Sequence, residues 1–260
     1  DNRKYNRLGR WMIKRAFEIG IRHAHRTSTV ARHLQTKMQR QYAVEPVMLP
    51  AGLEPVRPAA AQTITDKYGL RGNDYLLFLG RIDPIKRIEW VVELHRSIPR
   101  GIRIVIAGGA QDSMTEAYLR SLQQAAGRSS DVIFTGAVSG REKSELFSNC
   151  IMLLAPSADE GLPLTVLEAA SYGRPCVVSD LPAFQAVIAH GSTGFLFPKE
   201  DRQKFVSMVN EVLRSPDRLK AAGRAAQREL TPRFNWDLTA DRTERLYQRL
   251  LMQHRTEARK

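Results

Sequence analysis

Tyr75-Leu-Leu-Phe-Leu79 is an apolar run that ends in Gly80-Arg81-Ile82-Asp83-Pro84-Ile85-Lys86. A run this short and uniformly apolar reads as a strand covered on both faces, and the glycine, proline and charges after it read as a loop entering a helix. The same alternation recurs downstream. Ile102–Ala107, Val132–Phe134, Ile151–Leu154, Pro175–Val178 and Gly194–Phe197 are further strand candidates, with helical spacing over 86–97, 112–126, 140–149, 164–172 and 182–189. Strand and helix in alternation predict an α/β fold built on a doubly wound parallel sheet. Ligands of such sheets sit beyond the carboxyl ends of the strands, so the loops after each strand are where chemistry is expected.

Outside that region the pattern changes. Leu8, Trp11, Met12, Phe17, Ile19 and Ile21 place an apolar stripe on a basic helix over 8–22, followed by a second helix near 30–41. Val47-Met-Leu49 reads as a strand, and Pro46, Pro50, Pro55 and Pro58 make a stiff connector. Three helices are expected at the end, over 200–214, 216–230 and 236–252, with Pro216 and Pro232 at or near helix starts. No internal repeat is present.

The chain has 260 residues, 43% hydrophobic and 26% charged, enough for one large domain or two small ones. Its apolar runs fall short of the roughly 18 residues a membrane span needs. It begins at Asp1 with no secretory-type leader, so a piece of something longer is expected. Cys150 and Cys176 cannot alone build a disulfide framework or a metal cage; each is expected as a small buried hydrophobe in a reducing compartment. The net charge is +13, yet residues 1–42 carry +9 and 218–260 carry +6, leaving the body slightly negative. A nucleic-acid domain carries its positive field on the folded core beside a reading module, and none is found, so no nucleic-acid partner is expected. The basic ends read first as solvated helix faces. Peripheral contact with an anionic membrane is the alternative for them; the stripe over 8–22 reads first as a cover for the core of a missing domain and second as a face that docks on lipid.

Three loops invite chemistry. Arg81 and Lys86 flank an expected helix mouth, where free amides and the helix dipole favour an anion such as a diphosphate; a solvated loop with Asp83 pairing locally is the plainer reading. Ala107-Gly108-Gly109 allows close backbone approach but is neither a dinucleotide fingerprint nor a Walker A loop, which disfavours nicotinamide dehydrogenases and excludes P-loop NTPases. Asp159-Glu160-Gly161-Leu162-Pro163-Leu164-Thr165 leads into a short helix carrying Glu168 among Val166, Leu167, Ala169 and Ala170. A carboxylate in that setting needs hydrogen-bonding partners, and the vicinal hydroxyls of a sugar are suitable ones. A surface position on an amphipathic helix would also account for Glu168, and a carboxylate near a helix start for Glu160. No Ser-His-Asp or Cys-His arrangement is present, and the weak His23/His25 pair is the sole histidine spacing suited to a metal.

Gly80-Arg81 with Lys86, Gly108-Gly109, Phe134-Thr-Gly136, Pro156-Ser157, the Glu160…Glu168 pair and Phe234-Asn-Trp236 ahead of Leu246-Tyr247 together resemble the donor-binding half of the group 1 (GT4-type) retaining glycosyltransferases. The resemblance covers about 47–252. It implies the GT-B fold, in which two Rossmann-like domains face each other across the active site. It divides the chain into the end of an acceptor-binding domain with its linker (1–50), a donor-binding domain (51–235) and a C-terminal crossover helix (236–260).

By position, the resemblance implies that Arg81 and Lys86 hold the diphosphate of a UDP- or GDP-linked sugar, in loops shaped by Gly80, Gly108 and Gly109. Amides around Gly161, Leu162 and Leu164, with Thr165, would help at sugar and phosphates. Glu160 would contact hydroxyls of the transferred sugar, Glu168 the ribose, and Val138 would lie by the base. Neither a metal nor a further cofactor is implied. Transfer to a glycan or glycolipid acceptor in cell-surface polysaccharide or lipopolysaccharide synthesis, on the cytoplasmic side, is the function expected. Roughly another 100–150 residues upstream would complete an acceptor domain, so this chain is expected to bind donor without turnover.

There are departures. Arg87 stands where the family usually has Gly, Ala51 where Asn is usual, His25 where Asp is usual, and Phe184-Gln185-Ala186 where a Glu is common. A non-hydrolysing nucleotide-sugar epimerase and a catalytically silent binding or assembly module are the alternatives.

Overall fold

The computed structural model describes residues 6–257. Residues 1–5 and 258–260, the outer ends of the two terminal segments, lie outside the described residues. The chain forms two compact units, one made of the residues up to Gly52 with those from Trp236 onward, the other of Leu53–Asn235.

The first unit opens with α1 (Arg7–His23), started by Asn6, whose side chain accepts from the N–H of Gly9. Ile21 is buried, whereas Leu8, Trp11, Met12, Phe17 and Ile19 are exposed. A two-residue strand β1 (Ser28–Thr29), not anticipated from sequence, pairs in parallel with β2 (Val47–Met48) across α2 (Arg32–Tyr42). Two residues are too few to show a periodicity. Among the described residues no helix is long and apolar enough to cross a membrane.

The second unit begins with α3 (Thr63–Tyr68), also unpredicted, then β3 (Tyr75–Leu79), α4 (Ile88–Glu93), β4 (Arg103–Ala107), α5 (Ser113–Ala126) and β5 (Val132–Gly136). There follow α6 (Gly140–Asn149), β6 (Met152–Ala155), α7 (Leu164–Ser171), β7 (Cys176–Ser179), α8 (Pro182–Gln185), β8 (Phe195–Phe197), α9 (Arg202–Leu213) and α10 (Pro216–Leu230). The last helix, α11 (Trp236–Glu257), belongs to the first unit. All six strands of the large sheet are parallel, in the order β5-β4-β3-β6-β7-β8. The α/β, doubly wound expectation therefore holds.

The near-continuous apolar runs are explained by burial on both sides. Tyr75 and Leu77 face one core with α6, α7 and α10, while Leu76 and Phe78 face the other with α4, α5 and α9. Each fully buried side chain of this size contributes about 1.5–3 kcal/mol. Cys150 and Cys176 are free and buried, as small hydrophobes.

The helix expected over 86–97 is instead a 3₁₀ turn (Pro84–Lys86), the six-residue α4 and a second 3₁₀ turn (Leu94–Arg96). The break falls at Arg87, whose φ of 52° is left-handed and cannot continue a right-handed helix. The helix expected over 182–189 stops at Gln185.

Two details hold the sheet and its helices in place. Glu145 of α6 is fully buried, and its carboxylate accepts from the backbone N–H groups of Gln62 and Ile64 at 3.0 and 3.1 Å, from Thr63 Oγ1 at 3.1 Å and from Arg141 Nε at 2.8 Å. It thus caps α3 from another helix. Burial acts to raise its pKa, but those donors outweigh burial and hold it below the ordinary glutamate value. At Gly108, a Cβ would lie 1.8 Å from the carbonyl oxygen of Gly80, so only glycine allows β3 and β4 to end side by side.

Glu145→Gln is expected to destabilise the chain by about 2–4 kcal/mol at pH 7, measured by urea denaturation. Because the folded-state pKa is depressed, that contribution is complete above the unfolded value near 4.5 and is lost as pH falls through the folded one. The gap between wild type and variant should therefore narrow below about pH 4.5. Gly108→Ala should cost about 1–3 kcal/mol or more through the forced backbone shift, seen as a melting temperature lower by several degrees.

Candidate active site

Chain order reverses between β3 and β6: β4 and β5 continue on one side of β3, and β6, β7 and β8 fill the other. Parallel sheets open a crevice at such a reversal. The loops that leave β3 and β6 flank it, and they carry Gly80–Arg87 and Pro156–Pro163.

The first loop is pinned by backbone bonds. Gly80 N donates to Ala107 O at 3.0 Å and Ile82 N to Gly109 O at 3.3 Å. Gly109 itself has ordinary space, a Cβ there meeting Ala137 Cβ at 3.4 Å, so of the glycine pair only Gly108 is demanded by close approach. Buried Asp83 accepts from Ile85 N at 3.0 Å and Pro84 opens the turn. That turn aims Lys86 at the second loop, where its Nζ donates to Glu160 Oε1 at 2.7 Å. Ser157 Oγ donates to the same oxygen at 2.8 Å, and Ala158 N ties the loops by donating to Ile85 O at 2.8 Å. The Lys86 and Glu160 side chains are 18% and 13% exposed, so each sits mostly out of water and needs the other.

Other expected residues fall around this centre differently. Arg81 is exposed on the same loop and is not a partner of either carboxylate. Arg87 turns away, pairing with Glu200 at 2.6 Å and lying over the Trp90 ring at 4.8 Å. It therefore neither crowds the loop nor adds a cation to the centre.

The anion-binding mouth expected after Lys86 is not formed. The amides of Ile85, Lys86, Arg87 and Ile88 are taken by Asp83 Oδ1, Asp83 O, Pro84 O and Tyr118 Oη. At the start of α7, Leu164 N is likewise occupied, by Leu162 O at 2.9 Å, which corrects the donor role expected of it. The amides of Gly161, Leu162 and Thr165 meet no acceptor among the described residues, and these three remain available to an anion. Leu164 offers an exposed side chain instead. Val138 is half-buried against the main core.

Glu168 lies on α7 as expected, but it is bound by Lys143 of α6, whose Nζ donates to Glu168 Oε1 at 2.6 Å. Sequence reasoning missed Lys143. Its one signal was the partner that Glu168 required, and nothing in the spacing says which cation supplies it. Neither cysteine serves as a nucleophile: burial pushes the Cys150 thiol up to about 12, and Cys176 is raised for the same reason. Apart from the more open Lys143–Glu168 pair between α6 and α7, the site as built is a loop crevice with one shielded lysine–glutamate pair and three free amides. It suits a ligand that carries both anionic oxygens and hydroxyl groups.

A D-inositol 3-phosphate glycosyltransferase from Mycolicibacterium paratuberculosis is 29% identical over 210 residues, covering 80% of this chain and 47% of that protein. The chain spans about half the length of the curated relatives it matches. Among solved structures, Anabaena HepE in complex with UDP and glucose has a TM-score of 0.83 at 17% identity, covering 95% of this chain and 69% of that one. The sucrose-phosphate synthase of Thermosynechococcus elongatus has a TM-score of 0.82 at 20% identity, covering 97% and 64%. At these identities the likeness shows the fold, the GT-B type implied by the sequence. Residues 61–229 match the model for glycosyl transferases group 1, and the chain belongs to that family.

Proposed function

We propose that the chain is the donor-binding part of a retaining glycosyltransferase of the GT4 type that takes its sugar from a nucleoside diphosphate. The observation that carries this reading is the Lys86–Glu160 contact of 2.7 Å between the loops of β3 and β6, beside the three free amides at the start of α7. In the proposed complex the diphosphate lies between Lys86 and those amides, with Arg81 swinging in from solvent. Glu160 keeps Lys86 oriented and turns its remaining capacity to hydroxyls of the transferred sugar. Glu168 takes the ribose, and Val138 lies by the base.

Chemistry then follows from charge. When the bond between the anomeric carbon and the phosphate oxygen opens, the electron pair passes to the diphosphate, the oxygen of an acceptor hydroxyl bonds to the anomeric carbon, and the proton of that hydroxyl leaves on the diphosphate. Lys86, Arg81 and the amides of Gly161, Leu162 and Thr165 stabilise that growing charge. No attacking side chain of the protein, metal or further cofactor is required by this scheme.

Residues 1–50 we read as the end of the acceptor domain and 236–260 as the crossover helix. The acceptor proposed is a glycan or glycolipid of cell-surface polysaccharide synthesis, a lipopolysaccharide among them, at the cytoplasmic face of a membrane. The family supports a sugar acceptor in general, and the exposed apolar side chains of the basic α1 suit a membrane surface.

Isothermal titration of the chain with UDP and GDP tests the reading, and UDP comes first because HepE was solved with it. One of the two should bind, and Lys86→Ala and Glu168→Ala should each weaken it by about 10–100-fold, the worth of a charge-assisted hydrogen bond. Binding of neither nucleotide, or variants that match wild type, would contradict it.

A further inference from the structure

Lys143 has a choice of acids and takes the one farthest away in sequence. On its own helix, Glu142 is engaged by Lys67 and Tyr68, and Glu145 by Arg141 and the start of α3. Lys143 reaches across to α7 instead, and its Nζ holds Glu168 Oε1 at 2.6 Å while lying 5.9 Å from the centre of the Phe147 ring. Glu168 Oε2 accepts from no described residue. Both side chains stay partly open, at 33% and 28% exposure.

The pair also lines a cavity of about 240 Å³. On one side are Phe147 and Tyr172, stacked at 5.5 Å and 17°, and on another is the strip from Leu53 to Arg57. An ion pair of this exposure contributes little to stability, and helix packing alone would not require it to border open space.

We propose that Lys143 is a further donor-binding residue, which with Glu168 forms a mixed-charge clamp for the vicinal hydroxyls of the ribose. A carboxylate only accepts and an ammonium only donates, whereas a hydroxyl does both. The 3′-hydroxyl donates to Glu168 Oε2, and the neighbouring 2′-hydroxyl accepts from Lys143 Nζ. Lys143 also keeps Glu168 Oε1 occupied, so the free oxygen has one orientation. This inference rests on the donor-site reading above and adds a residue that the reading did not contain.

The test is titration of the full chain with whichever of UDP and GDP binds better, and with its 2′-deoxy form. Wild type should prefer the ribonucleotide by about 10-fold or more. Lys143→Met should weaken the ribonucleotide by a similar factor and leave the deoxynucleotide nearly unchanged, so that the preference collapses. Lys143→Arg, which keeps a donor, should retain most of it. Equal weakening of both ligands in Lys143→Met, or an undiminished preference, would overturn the clamp while leaving the donor site standing. Failure of wild type to bind either nucleotide would remove the donor site and the clamp together.

Discussion

Lys86 and Glu160 come from loops that follow two adjacent parallel strands, and they meet only because chain order reverses between β3 and β6. Had the sheet been wound in one direction, β4 and β5 would stand between those loops. A lysine ammonium and a carboxylate so shielded from water are each costly alone. Together, with the Ser157 hydroxyl on the same oxygen and Ala158 N bonded to Ile85 O, they fix two loops that would otherwise be independent. The glycine at 108 serves the same end by letting the β3 and β4 termini touch. Sheet order, close backbone approach and charge pairing thus converge on one crevice.

The molecule keeps its structural and its site charges apart. Glu145 is an acid whose lone pairs are spent on capping α3, and its donors come from backbone N–H groups and the Thr63 hydroxyl of that segment and from Arg141 of its own helix. Arg87 is a cation spent on Glu200 and Trp90, on the far side of the turn from Lys86. The left-handed backbone at Arg87 separates the two directions, ending the turn that presents Lys86 and starting α4 afresh. What is left at the crevice is a small set of groups whose hydrogen-bonding capacity is only partly used. They are Glu160, Lys86 and three amides, while Glu168 and Lys143 keep spare capacity beside the cavity that Phe147 and Tyr172 also line.

Much of this was legible in the sequence, and for physical reasons. Strands buried on both faces must be apolar throughout, so Tyr75–Leu79 and its counterparts stand out, most of them within one residue of their true limits. Glu168 stands out because a carboxylate among apolar helix residues demands partners, whereas Glu160, in the loop before that helix, stands out through the family resemblance. The identity of those partners was not legible. Lys143 is separated from Glu168 by a strand and a loop, and pairing at that range depends on how α6 lies against α7. The amide count after Lys86 was misjudged because the sequence does not show that Asp83 and the Tyr118 hydroxyl already take those donors. Nor could α3 be foreseen, since its start is capped by Glu145 from elsewhere in the chain, not by a neighbouring residue.

A bound diphosphate is expected to come to rest between Lys86 and the amides that lead into α7. A crystal structure of the chain soaked with the nucleotide it binds would show this directly. The phosphates should lie within hydrogen-bonding distance of Lys86 Nζ and the amides of Gly161 and Leu162, with Glu160 still against Lys86. Phosphates bound elsewhere on the chain, with the Lys86–Glu160 contact and the α7 amides untouched, would contradict it.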